Sequence, residues 1–261
     1  NRRMSWASRR RTIYAIGVIL FFLIVVGGPI FYSWLKTPPT CSDGIRNQGE
    51  TSVDKGGPCP LLDTNSLSPS ATLWTRSFYV RSGSYDAVAY IQNPNQDAGA
   101  RAVTYRFGLY DERNVLIAER TGTTFLMPGG ITPVFEGAID TGNRIVSHTY
   151  FDFTEPITWE RMADTSGAIS VSNTQVSDIA TSPRVTANIL NTSVAGIQSM
   201  AFVVIISDPA GNAFAASQTA LTGLAAGESR QVIFTWPSPF NIIVGKVQIV
   251  PLTAPRPVKS E

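Results

Sequence analysis

The chain has 261 residues, of which 43% are hydrophobic and only 15% are charged, a smaller charged share than soluble domains usually have. The formal net charge of +2 comes from the N-terminus, because residues 1–35 hold five arginines and no acid, which leaves 16 basic against 19 acidic residues elsewhere. The remainder has no basic cluster interleaved with aromatic residues, so no nucleic-acid partner is expected.

An uncharged run of 24 residues, from Thr12 to Leu35, follows the arginines. As a helix rising about 1.5 Å per residue it would span roughly 36 Å, enough for a hydrocarbon core of about 30 Å. Five arginines before the run, against Lys36 directly after it, orient the N-terminus toward the cytoplasm by the positive-inside rule. We therefore predict a cytoplasmic basic tail at 1–11, a transmembrane helix at 12–35, and a single-pass plasma-membrane protein whose other domains lie outside.

A cleaved signal peptide is the main alternative to this anchor. No A-x-A-like cleavage site follows the apolar run, and the run is longer than the apolar core of a signal peptide, so we favour an uncleaved anchor. Gly27, Gly28 and Pro29 predict a kink late in the helix.

Two cysteines, Cys41 and Cys59, close one Gly-rich segment and are the only cysteines in the chain. In an oxidising compartment they are expected to pair, and closing a loop of this size stabilises by roughly 3 kcal/mol in the chain-entropy model. Oxygen-bearing side chains recur inside the loop, and Ca²⁺ prefers such ligands. The alternative is a purely structural turn stapled by the disulfide. The candidate calcium ligands are Asp43, Asn47, Glu50 and Asp54.

The same loop resembles a Cys-bracketed motif, C-x-D-G-x-x-N-x-x-E-x-x-x-D-x-G-G-x-C, of many bacterial secreted and surface proteins, in which it often follows a membrane segment. The common version has a further Cys after the last Asp, where this chain has Lys55, so the disulfide pattern is simpler and a positive charge lies beside the candidate cation site. The matching positions are Cys41, Asp43, Gly44, Asn47, Glu50, Asp54, Gly56, Gly57 and Cys59.

Beyond the loop and a turn-rich linker, together residues 36–68, apolar residues alternate with a period of two, which is typical of half-buried strands. Gly, Pro, Asn and Asp clusters separate the runs, and short strands at this spacing indicate a β-sandwich. The predicted strands are 72–80, 85–93, 103–110, 115–124, 131–139 and 144–153.

The pattern then repeats with an offset of 97–98 residues. Asn93 corresponds to Asn191 and Asp111 to Asp208, each at the same place in its run of strands and turns. A repeat of this length is one sandwich domain. We predict two tandem domains, 69–155 and 156–253, and a disordered tail at 254–261.

Residues Phe107 to Asp111 read F-x-L-Y-D, and the first copy resembles the FxLYD type of bacterial β-sandwich domain found in membrane-anchored or exported proteins. The resemblance implies an immunoglobulin-like sandwich and carries no catalytic residue to transfer. Phe107 and Leu109 are expected to fill the core, and Asp111 to open the next turn by bonding backbone amides. The second copy keeps only Asp208 of this signature.

Catalytic constellations are missing from the sequence. The one histidine, His148, lies in a predicted strand, and no G-x-S-x-G or phosphate-binding loop occurs. Both cysteines are committed to the predicted disulfide, which leaves no zinc set. We predict a protein that is not an enzyme, with no catalytic or cofactor-binding residue and no cofactor other than the candidate calcium.

The resulting functional hypothesis is a structural or protein-interaction component of the cell envelope, with the membrane and other envelope proteins as partners. The alternative is an adhesin-like or carbohydrate-binding surface module, calcium-dependent, that uses exposed aromatic rings. Core or interdomain packing is the favoured role of these rings, because aromatic residues prefer strands and sandwich cores. They are Trp74, Tyr79, Trp159 and Trp236.

Overall fold

A computed structural model describes residues 6–35, 40–163 and 165–256. The chain forms two compact units, Asn1–Cys59 and Pro60–Glu261. Lys36 and parts of the predicted tails at 1–11 and 254–261 lie outside the described residues.

Helical residues of the first unit follow one another from Trp6 to Leu35 in three segments: helix α1 (Trp6–Phe22), a π-helical turn (Leu23–Gly27) and helix α2 (Gly28–Leu35). The π-helical turn precedes Pro29, which has no N–H to donate to the preceding turn. The large apolar side chains described between Ile13 and Tyr32 are 51–69% exposed. Within the described part of the chain, no single helix has both the length and the apolar character needed to cross a membrane.

The first half of the larger unit consists of antiparallel strands in two sheets, ordered β1-β2-β5 and β4-β3-β6, with the short β7 also pairing with β3. Alternate residues of β2 and β3, among them Ile91, Phe107 and Leu109, enclose the first core between the sheets. The strands are β1 (Ala71–Arg81), β2 (Ser84–Gln92), β3 (Ala98–Tyr110), β4 (Leu116–Leu126), β5 (Ile131–Asp140), β6 (His148–Phe153) and β7 (Glu160–Arg161).

The second half repeats this arrangement with sheets ordered β12-β9-β8 and β11-β10-β13. Its core lies between the two sheets and includes Ile189, Phe202 and Phe234. The strands are β8 (Ile169–Ser177), β9 (Arg184–Asn191), β10 (Ile197–Ser207), β11 (Ala213–Leu224), β12 (Ser229–Thr235) and β13 (Lys246–Leu252).

The mainly β fold predicted from the sequence is confirmed, and its two pairs of facing sheets agree with a β-sandwich architecture. Strand β3 begins at Ala98, earlier than predicted, because its first residues, Ala98 and Gly99, pair with the unpredicted β7. The predicted last strand of the first half is shorter than expected, because residues 144–147 are irregular; within them the Ser147 N–H donates to the Tyr110 carbonyl.

Equivalent asparagines in the two halves make equivalent hydrogen bonds to the backbone. Asn93 and Asn191 are both almost fully buried. The Asn93 amide donates to the carbonyls of Ala98 and Met127, at 2.7 and 2.9 Å, and the Asn191 amide donates to three carbonyls at 2.9–3.0 Å. Each asparagine therefore satisfies carbonyl oxygens that would otherwise be buried without a donor.

The two halves share a buried interface, which we call the junction. The outer face of sheet β1-β2-β5 packs on the outer face of sheet β11-β10-β13. The hydrogen bonds that cross it include Arg76 Nη1 to the Ala213 carbonyl (3.0 Å), Ser238 Oγ to the Val80 carbonyl (3.3 Å) and Gln248 Nε2 to Tyr90 Oη (2.6 Å). The buried junction residues are Phe78, Val88, Tyr90, Val203, Ile205 and Ala216.

Candidate functional site

The cysteine-closed loop forms the disulfide that the sequence predicts. Cys41 and Cys59 are bonded, with their Cα atoms 5.3 Å apart. Glycines with positive φ shape the loop, and a Cβ on Gly57 (φ +55) would collide with the Gly49 carbonyl. The loop therefore tolerates no side chain at this crossing of its backbone.

Two of the candidate calcium ligands hold the loop through local hydrogen bonds. Asp43 accepts from the Asn47 side-chain amide at 2.8 Å and from the N–H groups of Thr40 and Ile45 at 3.1 and 2.8 Å. The bond from Asn47, helped by the two backbone donors, lowers the pKa of Asp43. Asp54 accepts from the Gly44 N–H at 3.1–3.2 Å. These carboxylates replace backbone partners that so short a segment lacks.

Glu50, a third candidate ligand, is buried against the disulfide. Its Oε2 accepts from the N–H groups of Asn47 and Asp54 at 3.3 and 3.1 Å, and its Oε1 lies 3.0 Å from Cys59 Sγ. The side chain thus joins the two turns of the loop from the inside.

The described residues contain one set of three His, Cys, Asp or Glu side chains whose ligand atoms all lie within 4.8 Å of one another: Cys41, Glu50 and Cys59. The two sulfurs of this set are bonded to each other, and the carboxylates of Asp43 and Asp54 do not join it. Among the described residues, Asn47 Oδ1 is the one buried side-chain oxygen or nitrogen that has no hydrogen-bond partner. Calcium binding by this loop stays a prediction.

The aromatic residues singled out from the sequence are mostly packed. The Trp74 ring stacks on Tyr90 with centroids 5.0 Å apart, and Trp159 packs on the first core. Trp236 is buried and donates from Nε1 to the Ala216 carbonyl at 3.1 Å. Tyr79, at 63% exposed, is the one of the four that faces solvent broadly. The histidine, His148, is exposed at the start of β6.

A site that the sequence did not reveal lies at one end of the junction. A groove of about 300 Å³ opens between β1 and the segment from Trp236 to Ile242 that follows β12. Asp86 of β2 lines it, and burial raises the pKa of this carboxyl. The signal in the sequence was an acid within the apolar strand Ser84–Gln92, but nothing there showed what would face it.

Comparison with known proteins does not place the chain in a family. No family model and no curated protein matches it. Solved structures with some likeness include a red sea bream transglutaminase (11% identity, 70% of this chain and 31% of that chain, TM-score 0.23) and an Amycolatopsis orientalis exo-chitosanase (13%, 66% and 21%, 0.20). A Bacteroides uniformis β-glucuronidase is similar at 13% identity over 67% of this chain and 22% of that chain, with a TM-score of 0.19. The chain spans less than a third of each of these proteins, and likeness at these scores identifies no shared activity.

Proposed function

We propose that this protein is a non-catalytic, single-pass component of the cell envelope, anchored in the plasma membrane by the residues at 12–35 with its N-terminus in the cytoplasm. Outside the membrane, two tandem immunoglobulin-like (FxLYD-like) domains, predicted at 69–155 and 156–253, serve as a structural or protein-interaction module. Along the chain, the disulfide-closed loop and the linker follow the anchor and precede the domains.

The observation that carries the anchor is the exposure of apolar side chains along the helical segments. The large apolar side chains that the structure describes between Ile13 and Tyr32 are each more than half exposed. A helix that is apolar on every side needs an apolar environment, and leaving one such side chain in water costs about 1.5–3 kcal/mol. Lipid would cover all sides of the segment together, and the arginines that precede it supply the cytoplasmic flank.

The junction supports the role of the β part as a mechanical or binding module. Val88 and Val203 are fully buried in it, and hydrogen bonds from Arg76, Ser238 and Gln248 tie the two halves across it. Two sandwiches joined in this way present loops and sheet edges at fixed separations, as a spacer or a multi-point binding surface requires.

Fractionation of cells that express the full chain tests the anchor. We expect the protein to stay in the membrane pellet after a carbonate wash, and protease added to intact protoplasts to digest its β part. A variant with Leu20→Lys and Ile24→Lys should leave the membrane, because each central charge costs about 2.5–3.5 kcal/mol on insertion scales. Leu20→Ala with Ile24→Ala is the matched control and should remain. A wild-type chain in the soluble fraction, or one protected from external protease, contradicts the proposal.

The second candidate function is an adhesin-like or carbohydrate-binding module that depends on calcium. The specific observation in its favour is Asn47 Oδ1, a buried oxygen without a hydrogen-bond donor inside a loop rich in carboxylates. Glycan-array binding by the full chain that requires millimolar Ca²⁺ and disappears with Asn47→Ala would support it. Binding to no glycan, or binding unchanged by chelation of Ca²⁺, would remove it.

A further inference from the structure

The groove at the end of the junction is built from both halves of the β part. Phe78 of β1 lies in one wall, and Trp236, Phe240 and Ile242 of the second half lie in the other. Its volume of about 300 Å³ is at the lower end of the range for ligand pockets, and such pockets favour the interfaces between domains.

The second-half wall is held rigidly. The Trp236 N–H donates to the Pro183 carbonyl at 3.0 Å, and the Phe240 N–H donates to the Ile179 carbonyl at 2.9 Å. The Trp236 and Phe240 rings meet edge to face with centroids 5.2 Å apart. Ser238 Oγ then ties this segment to the Val80 carbonyl of the opposite wall. The groove is therefore formed before any ligand arrives.

Asp86 brings a single charge into this apolar groove. Its Oδ1 accepts from the Ala138 N–H at 2.9 Å, and no donor among the residues of the described chain reaches its Oδ2. Ala138 adopts φ +53, a left-handed conformation that is unfavourable for alanine. Among the described residues that line the groove, Asp86 is the one with an acidic or basic side chain. It forms no salt bridge with any described residue.

An unpaired, partly desolvated carboxylate is unfavourable for folding, and burial raises its pKa. Strand geometry does not require it, because neighbouring positions of the same face are Val88 and Tyr90. A group that costs stability and is aimed into a preformed groove is typical of a binding site.

We propose that this groove receives the side chain of an arginine or lysine from a partner protein, with its cationic end on Asp86 Oδ2 and its alkyl stem between the aromatic walls. The carboxylate supplies a charge-assisted hydrogen bond, and the rings of Phe78 and Phe240 supply apolar contact and cation–π attraction. This inference deepens the proposed protein-interaction role by naming the anchoring contact and its chemistry.

Saturation-transfer NMR with the full chain, purified in detergent, tests the inference. The probes are the capped tripeptides acetyl-Gly-Arg-Gly-amide and acetyl-Gly-Lys-Gly-amide, and the neutral isostere with citrulline in place of arginine. We expect transfer to the side-chain methylenes of the two cationic peptides. Binding should be at least about tenfold weaker for the citrulline peptide, because citrulline keeps N–H donors but has no positive charge to pair with the carboxylate.

Asp86→Asn should weaken binding of the arginine peptide by the same factor, and Asp152→Asn, which removes an equal charge from exposed β6, should leave it unchanged. Equal binding of the arginine and citrulline peptides, or unaltered binding by Asp86→Asn, overturns the proposal. An equal response to free ethanolamine, which lacks the long stem, points to a small amine rather than a protein side chain and also overturns it. None of these measurements depends on membrane insertion. A negative binding result would therefore reject the groove proposal without rejecting the membrane anchor that the fractionation experiment tests.

Discussion

Tyr105 donates a 2.6 Å hydrogen bond to Glu136 Oε1, and this bond joins the two facing sheets of the first half. At the corresponding positions of the second half the pair is Phe202 and Phe234, both buried. Burial, and then the neighbouring carboxylate of Glu136, raise the pKa of Tyr105, so the phenol stays protonated and keeps donating. One sandwich thus closes its core with a polar bridge and the other with two rings.

Replacing this bridge should show which of the two solutions is more stable. Tyr105→Phe leaves the half-buried Glu136 without its donor and should lower the free energy of unfolding by about 1 kcal/mol or more. Tyr105→Phe with Glu136→Phe copies the second half and should recover most of that loss, because both polar groups are then gone. Urea unfolding of the full chain measures both. If the double variant lost as much free energy of unfolding as Tyr105→Phe and Glu136→Phe lose separately when added, this interpretation would be contradicted.

The junction should make the two halves unfold together. Val203 and Ile205 of β10 lie in it, while Phe202 and Val204 of the same strand face the second core. Val203→Ala with Ile205→Ala should remove about 2–5 kcal/mol and split one thermal transition into two. Ile233→Ala, at an exposed position of β12, is the control and should leave a single transition. Two transitions already present in the wild-type chain would show that the junction does not couple the halves.

Acid should destabilise the turns that follow β3 and β10. Hydrogen bonds from the backbone of Val115 to Asp111 and of Asn212 to Asp208 lower the pKa of each carboxyl below its ordinary 3.8. A lowered pKa means that the ionised form contributes stability that is present above pH 3.8 and lost as the pH falls through the folded-state value. Melting temperatures measured from pH 7 to about pH 2.5 should therefore fall less steeply for Asp111→Asn with Asp208→Asn than for the wild type.

Asp86 should behave in the opposite sense. Its pKa is raised by burial, so the ionised form is disfavoured in the folded chain at every pH above the folded value, and that cost vanishes below the ordinary 3.8. Asp86→Asn keeps an oxygen for the Ala138 N–H and should raise the melting temperature at pH 7, by about 2–4 °C for each kcal/mol gained in a unit of this size. The gain should disappear near pH 3.8. A melting temperature lowered at pH 7 would mean that Asp86 stabilises the fold.

The local order of this protein follows from its sequence because local order depends on near neighbours. A period of two places Phe107 and Leu109 on one face of β3, and both are fully buried. The two cysteines bracket a loop short enough to close, and they are bonded. The 97-residue offset predicts that Asp111 and Asp208 occupy like turns, where each accepts a hydrogen bond from the backbone four residues on.

The sequence pattern did not predict how the two halves pack against each other. Residues Ala87 to Ile91 of β2 and Phe202 to Ile206 of β10 are unbroken apolar runs, which indicates strands buried on both faces. A run of this kind shows that a second face is covered but not what covers it, because apolar contact is non-directional. The junction, and with it the groove around Asp86, appears only when the two outer faces have met.

What the sequence by itself determined about this protein is therefore most strand positions of the first half, the repeat, the disulfide and core residues such as Phe107 and Leu109, all set by periodicity and short-range spacing. Only the tertiary structure decided which sheets face each other across the junction and that Asp43, Glu50 and Asp54 bond to backbone amides within their loop. It also decided that Asp86 lies in an aromatic groove with no salt bridge to any described residue. Those outcomes depend on contacts between residues far apart in the chain or on the directions of individual side chains. Neither is encoded in a one-dimensional pattern.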